Sequence, residues 1–203
     1  MFFVIEGPNG SGTTSVSRVL RKKIVDELRI PAMLTHEPSG LPIGSLIRCV
    51  LRGEIEVDTR ALAPLFLADA IDHNRAISRY VNPKGDCIVV CDRYVYSNYV
   101  YQQDLYPKKV LEGWLGLIDL VPDAVFVLDA DPEVCIQRIK SRTKDKQIHD
   151  SFGVDRLAEL SNRYKNLAKI GNETIHYIDA NLVLESVVSA IFSIIENLLR
   201  NTI

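Results

Sequence analysis

Five short apolar runs recur along the chain, and segments of helical periodicity fill the spaces between them. Phe2–Glu6 is rich in β formers and stops at glycines. Ala32–His36, Asp86–Cys91, Ala124–Leu128 and Thr174–Asp179 repeat the pattern. From Thr13 to about Arg29, Val16, Val19, Leu20, Ile24 and Leu28 fall on one helical face. Ile43–Arg52 reads as a second helix and Thr59–Tyr80 as a long third, with Pro64 tolerable only in its first turns. Asp131-Pro132 is a start signal for a helix over Glu133–Lys140. Phe152–Ile170 and an amphipathic Leu184–Arg200 complete the set. Apolar strands alternating with helices predict an α/β fold whose parallel sheet is covered on both faces. Ligands of such sheets sit at the carboxyl ends of the strands. No repeat, linker or low-complexity stretch divides the chain, so residues 1–203 read as one domain.

Composition narrows the function classes. The 203 residues are 47% hydrophobic and 25% charged, enough to bury a core without metal or disulfide staples. Lys plus Arg is 24 against 26 Asp plus Glu, a net charge of −2. That excludes a nucleic-acid-coating role, which needs bulk positive charge, but leaves room for a local basic site for a small anion. Cys49, Cys87, Cys91 and Cys135 form no C-x-x-C pair and read as buried thiols of a reducing compartment. The four histidines are scattered, and no zinc spacing occurs. Met1–Ile5 is apolar but lacks the basic flank of a signal peptide. Ser189, Ser193, Glu196 and Asn197 interrupt Val187–Leu199, which is too short and too polar to span a bilayer. The expectation is a cytoplasmic protein with no membrane partner.

The first apolar run leads into Gly7-Pro8-Asn9-Gly10-Ser11-Gly12-Thr13-Thr14, and a helix follows. Gly7, Gly12 and Thr14 fit the phosphate-loop pattern G-x-x-x-x-G-K-[ST], while Thr13 stands at the lysine position. Glycines let backbone N–H groups converge on an anion, and the helix N-terminus adds partial positive charge. The Thr14 hydroxyl is a candidate magnesium ligand. Taken alone, the loop is also compatible with a glycine-rich turn that binds nothing.

Four blocks then occur in order: Ile5–Thr14, Thr35–Arg48 with its Glu37-Pro38, Asp92–Gln102 opening on Asp-Arg-Tyr, and Ile175–Ala180. With these blocks the chain resembles the thymidylate kinase family of the phosphate-loop nucleoside-monophosphate kinases, from Phe2 to about Ile195. The resemblance implies a five-stranded parallel sheet flanked by helices on both faces. It implies transfer of the γ-phosphoryl group of Mg-ATP to dTMP, giving dTDP and ADP in deoxynucleotide biosynthesis. ATP would lie on Gly7, Pro8, Asn9, Gly10, Ser11, Gly12, Thr13 and Thr14. Asp92 would hold Mg2+ with Thr14, and Arg93 and Arg48 would grip the acceptor phosphate. Glu37 would border the acceptor pocket, and Phe66 would stack on the thymine. Asn98 and Gln102 would bond the base, and Tyr101 would sit beneath the deoxyribose. The Lys-rich stretch at 141–150 takes the place of the ATP lid. There Asp145-Lys146 stands for the family's Asp-Arg, so Lys146 becomes the candidate catalytic cation, with Arg138 and Arg142 earlier in the chain. The resemblance further implies a homodimer, for which the apolar helix Ala61–Ala70 offers a face, and small molecules as the other partners.

Three positions depart from the family pattern. Thr13 replaces the loop lysine, Asn9 replaces an acid near the acceptor sugar, and Ala70 stands where an arginine reads the thymine edge. Loss of a donor to the transferring phosphate is worth on the order of a hundredfold in rate. Loss of a charge-assisted base contact is worth about 1.5–3 kcal/mol, which predicts a looser preference for dTMP over other deoxypyrimidine monophosphates. Three readings therefore stand at this point: a dTMP kinase, a kinase for another pyrimidine monophosphate, and a nucleotide-binding protein with weak catalysis. Asp92-Arg93 and Thr14 favour an enzyme. Arg93, facing the acceptor phosphate, is expected to matter for activity more than for stability.

Overall fold

The computed structural model describes residues 1–81, 87–141, 151–169 and 174–202. Its five strands are β1 (Phe2–Glu6), β2 (Ala32–His36), β3 (Ile88–Asp92), β4 (Ala124–Asp129) and β5 (Ile175–Asp179). They form one sheet of order β2-β3-β1-β4-β5, and every pairing is parallel. The central strands β1, β3 and β4 are buried almost throughout, which is why their sequences are continuous apolar runs rather than alternating ones. Each central strand closes on an acid, and the edge strands β2 and β5 carry further polar positions, among them Thr35, His36 and His176.

The flanking helices are α1 (Thr13–Lys23), α2 (Pro42–Leu51), α3 (Thr59–Ile77), α4 (Val95–Tyr101), α5 (Lys108–Leu115), α6 (Pro132–Lys140), α7 (Val154–Lys165) and α8 (Leu184–Thr202). Helix α1 is shorter than its periodicity predicts. Beyond Lys23 the chain widens into a looser turn, Ile24–Leu28, and stops at Arg29 with φ 59°. Helix α3 ends at Ile77 rather than Tyr80. Helix α7 starts at Val154 because Gly153 forms its N-cap, and one tight turn, Leu167–Lys169, follows it. Strand β3 starts at Ile88 and runs on to Asp92, and β4 runs on to Asp129. Asp86 and Ile170 lie outside the described residues.

Helices α4 and α5 are absent from the sequence expectation. Val95, Tyr96, Tyr99, Val100 and Tyr101 are all β formers, so local propensity points away from a helix. Burial decides otherwise: Val95, Tyr96, Tyr99 and Val100 are sunk in the core, and α4 packs against α3, α5 and α7. Among the described residues, no helix is long and apolar enough to cross a membrane.

Candidate active site

The parallel sheet puts the ends of β1, β2 and β3 side by side, and the glycine loop leaves β1 at this edge. Gly10 has φ 87°, and a Cβ there would fall 2.4 Å from the carbonyl oxygen of Cys135, so only glycine lets the loop rest on α6. Gly12, φ 103°, caps α1 in a left-handed conformation that most side chains avoid. Arg138 from α6 donates Nη1 to Ser11 O at 3.3 Å. Thr13 is buried and contributes no charge to the loop.

A cavity of about 370 Å³ opens beside the loop. Asn9 and Thr14 line it from the loop and α1, Glu37 from the end of β2, Arg48 from α2 and Phe66 from α3. Asp92 and Arg93 enter from the end of β3, and Asn98, Tyr101 and Gln102 from α4 and its end. Residues scattered across more than ninety positions of sequence thus share one chamber.

At one end Thr14 Oγ1 donates to Asp92 Oδ2 at 2.5 Å. The other carboxylate oxygen, Asp92 Oδ1, is buried without a partner. An orphaned carboxylate oxygen next to a hydroxyl suits a hard cation such as Mg2+, which takes one or two protein oxygens and fills its shell with water and phosphate.

Arg93 sits in the left-handed region at φ 66°, a conformation that costs on the order of 1–3 kcal/mol and aims the side chain across the loop. Its Nη1 donates to Gly7 O at 2.8 Å, Ser97 Oγ at 3.1 Å and Tyr164 OH at 3.3 Å. Its Nη2 donates to Asn9 Oδ1 at 3.0 Å. Burial opposes the charge, yet Tyr101, Tyr164, Glu6 and Asp92 around it outweigh burial and hold its pKa above the ordinary arginine value. Glu6 is fully buried and accepts from Tyr94 N, Ser97 Oγ and Tyr164 OH. Burial raises its pKa, and Arg93 is the largest influence pulling it back down. The expectation that Arg93 matters little for stability therefore needs correction. The guanidinium joins the loop, α4 and α7 and balances a buried acid.

Arg48 donates Nη1 to Pro38 O at 2.8 Å and to Ser39 O, and Nη2 to Ser45 Oγ. His36 donates Nδ1 to the same Pro38 carbonyl at 2.7 Å. Behind Glu37 lies His73, with Nδ1 3.1 Å from Glu37 Oε1 and Nε2 2.7 Å from Thr35 Oγ1. Burial pushes the Glu37 carboxyl up to about 7, against the pull of the His73 bond.

The far end suits a flat ring and a sugar. Phe66 presents a half-buried ring. Asn98 donates Nδ2 to Ala63 O at 3.2 Å, which fixes its amide, and leaves Oδ1 buried and unpartnered. Tyr101 OH donates to Asn9 Oδ1 at 2.9 Å and accepts from Asn9 N at 3.1 Å, and the Tyr101 ring stacks on Phe152 with centroids 6.4 Å apart.

The sequence profile of the family described as Thymidylate kinase matches residues 5–191. The chain belongs to the thymidylate kinase family. It is 35% identical over 193 residues to a Methanocaldococcus jannaschii protein named "Probable thymidylate kinase", covering 88% of this chain and 95% of that one. It is 34% identical to the thymidylate kinase of Lacticaseibacillus casei, over 96% of this chain and 94% of the relative. It is 31% identical to that of Leptospira interrogans, over 89% and 86%. As a member, the enzyme is an ATP-dependent kinase that phosphorylates dTMP to dTDP. Neither the other pyrimidine acceptor nor the weakly catalytic binding protein gains support from these likenesses.

Three further placements bear on this kinase. Ala70 is buried in the core and does not line the cavity. Lys146, Asp145 and Arg142 lie outside the described residues, as does all but Ser141 of the stretch 141–150 expected to form the lid. Sequence reading missed Glu6, His73, Ser97, Tyr164 and Phe152 as partners of the site. Glu6 carried the one available signal, a lone acid closing an apolar strand; nothing local marks the others.

Proposed function

We propose that the cavity is where this kinase joins its two substrates, with ATP along Gly7–Thr14 and dTMP between Arg93 and Phe66. The single observation that carries the reading is the convergence of the Thr14–Asp92 pair with Arg48 and Arg93 in one chamber. Phosphoryl transfer needs little covalent help. It needs two polyanions held in line and their charge balanced. Thr14 and Asp92 would hold Mg2+, which neutralises phosphate charge when bound. Arg93 and Arg48 grip the acceptor phosphate; a guanidinium fork matches phosphate oxygens. Glu37 borders that phosphate and keeps Arg48 company at the Glu37–Pro38 turn.

Phe66 stacks on the base, Tyr101 supports the deoxyribose, and Gln102 closes the base end. Asn98 Oδ1, fixed as an acceptor, suits the N3–H of thymine. Lys146 from the lid acts on the transferring phosphoryl group. Residues 1–203 act as one domain, in the cytoplasm. Buried thiols such as Cys91 and Cys135 fit that compartment. The chain works as a homodimer through α3, whose outward stripe Ala61, Pro64, Ala68 and Ile71 recurs at helical spacing and includes Ile71 at 45% exposure.

A coupled assay of ADP formation, run with each deoxynucleoside monophosphate with and without Mg2+, tests the reading. The expected result is Mg2+-dependent turnover with dTMP. No ADP with any acceptor, alongside nucleotide binding by calorimetry, overturns it. Sedimentation at micromolar concentration tests the dimer.

A further inference from the structure

We infer that Arg18 supplies the positive charge that the phosphate loop lacks, meeting the transferring phosphoryl group from the second turn of α1. The inference rests on the kinase reading above and assigns a residue to it. Thr13 stands where a loop lysine would, and it is buried and uncharged. Arg18 lies four positions beyond Thr14, so the two share one face of α1. A long helical side chain leans toward the N-terminus of its helix, which carries the Arg18 guanidinium back toward Thr14.

Helix α1 packs across β2 and β3, and Arg21, one turn on, pins it by donating Nε to Ala32 O at 2.9 Å. Ala32 begins β2 and His36 ends it, and His36 is the register partner of Asp92. The face of α1 that carries Arg18 therefore points at the strand ends where Thr14 meets Asp92. Arg18 lines the cavity together with Thr14, His36 and Asp92.

Its hydrogen bonding sets it apart from the other arginines here. Arg93 and Arg48 each hold protein acceptors, Arg93 four of them. Arg138 reaches the loop but spends a donor on Ser11 O. Among the described residues, Arg18 has neither an ion-pair nor a hydrogen-bond partner, so its donors are free for phosphate oxygens. A guanidinium delivers two parallel donors and stays charged at any working pH. An exposed arginine without partners contributes little to stability, so its function separates cleanly from folding.

The test is steady-state kinetics on Arg18→Ala, Arg18→Lys, Thr13→Lys and the double variant Thr13→Lys/Arg18→Ala, with thermal melting of each. Arg18→Ala is expected to lower kcat on the order of a hundredfold at saturating ATP and dTMP, with melting unchanged. Arg18→Lys should recover part of the loss. Thr13→Lys should raise kcat far more in the Arg18→Ala background than in the parent, because one charge then stands in for the other. A kcat within about twofold of the parent for Arg18→Ala, or equal gains from Thr13→Lys in both backgrounds, overturns the inference while the parent's turnover of dTMP keeps the kinase reading intact. A parent that forms no dTDP sinks both.

Discussion

Glu37 gives the sharpest pH test. Its side chain is 8% exposed and faces His73, while the charges of Asp69 and Glu6 add to the burial that pushes its carboxyl up to about 7. In the unfolded chain the value is about 4.5. The fold thus favours the protonated acid. The stability tied to it is fully present below about pH 4.5 and is lost as pH rises through about 7. With those two values, linkage gives a contribution of about 1 kcal/mol at pH 6 and close to none at pH 8. Glu37→Gln keeps the shape and removes the titration. Urea unfolding of parent and variant across this range should show the parent losing about 1 kcal/mol relative to the variant. That is a midpoint shift of roughly 0.5 M at an m-value of about 2 kcal/mol/M. The same ionisation places a negative charge beside Arg48, so KM for dTMP should rise above about pH 7 in the parent relative to Glu37→Gln. A stability difference that stays constant from about pH 6 to pH 8 would falsify the assignment and leave Glu37 ionised throughout.

Arg93→Ala should abolish most turnover, on the order of a hundredfold or more, and also lower stability by about 2 kcal/mol, because Gly7 O, Asn9 Oδ1 and the buried Glu6 lose their cation; a melting temperature equal to the parent's would show that the guanidinium holds nothing together. Asn98→Ala should cut kcat/KM for dTMP roughly tenfold to a hundredfold and leave dCMP turnover as low as before, since a fixed acceptor reads an N3–H. The parent should therefore use dUMP far better than dCMP, and equal use of the two would refute that role. Lys146→Ala should slow turnover more than it raises KM for dTMP, as steady-state kinetics would register, and unchanged turnover would move the lid charge to Arg142.

The bearing of Asn98 on specificity marks a point where the tertiary structure changes the reading. From the sequence, an amide is free to rotate and satisfy thymine or a rival base. In the fold, a backbone carbonyl of α3 takes its N–H, and the amide has one orientation left. Ala70 shows the converse. Its place in the chain suggests a gap in the base site, yet it is packed in the core.

All five strands, the glycine loop and ten of the sixteen residues that line the cavity were legible in the chain. Buried parallel strands need unbroken apolar runs, and a phosphate cradle needs glycines where backbone N–H groups converge. Local sequence carries those demands, and the resemblance to the family supplied those ten cavity residues. It does not carry α4, whose β-forming residues become helical only once the core covers them. Nor does it carry the balance between Glu6 and Arg93, the proton on Glu37, or the free guanidinium of Arg18. Each of these depends on which side chains, tens of residues apart in sequence, are brought within hydrogen-bond reach, and on how much water is left between them. Desolvation and pairing are properties of the assembled chamber, so only the tertiary structure decides them.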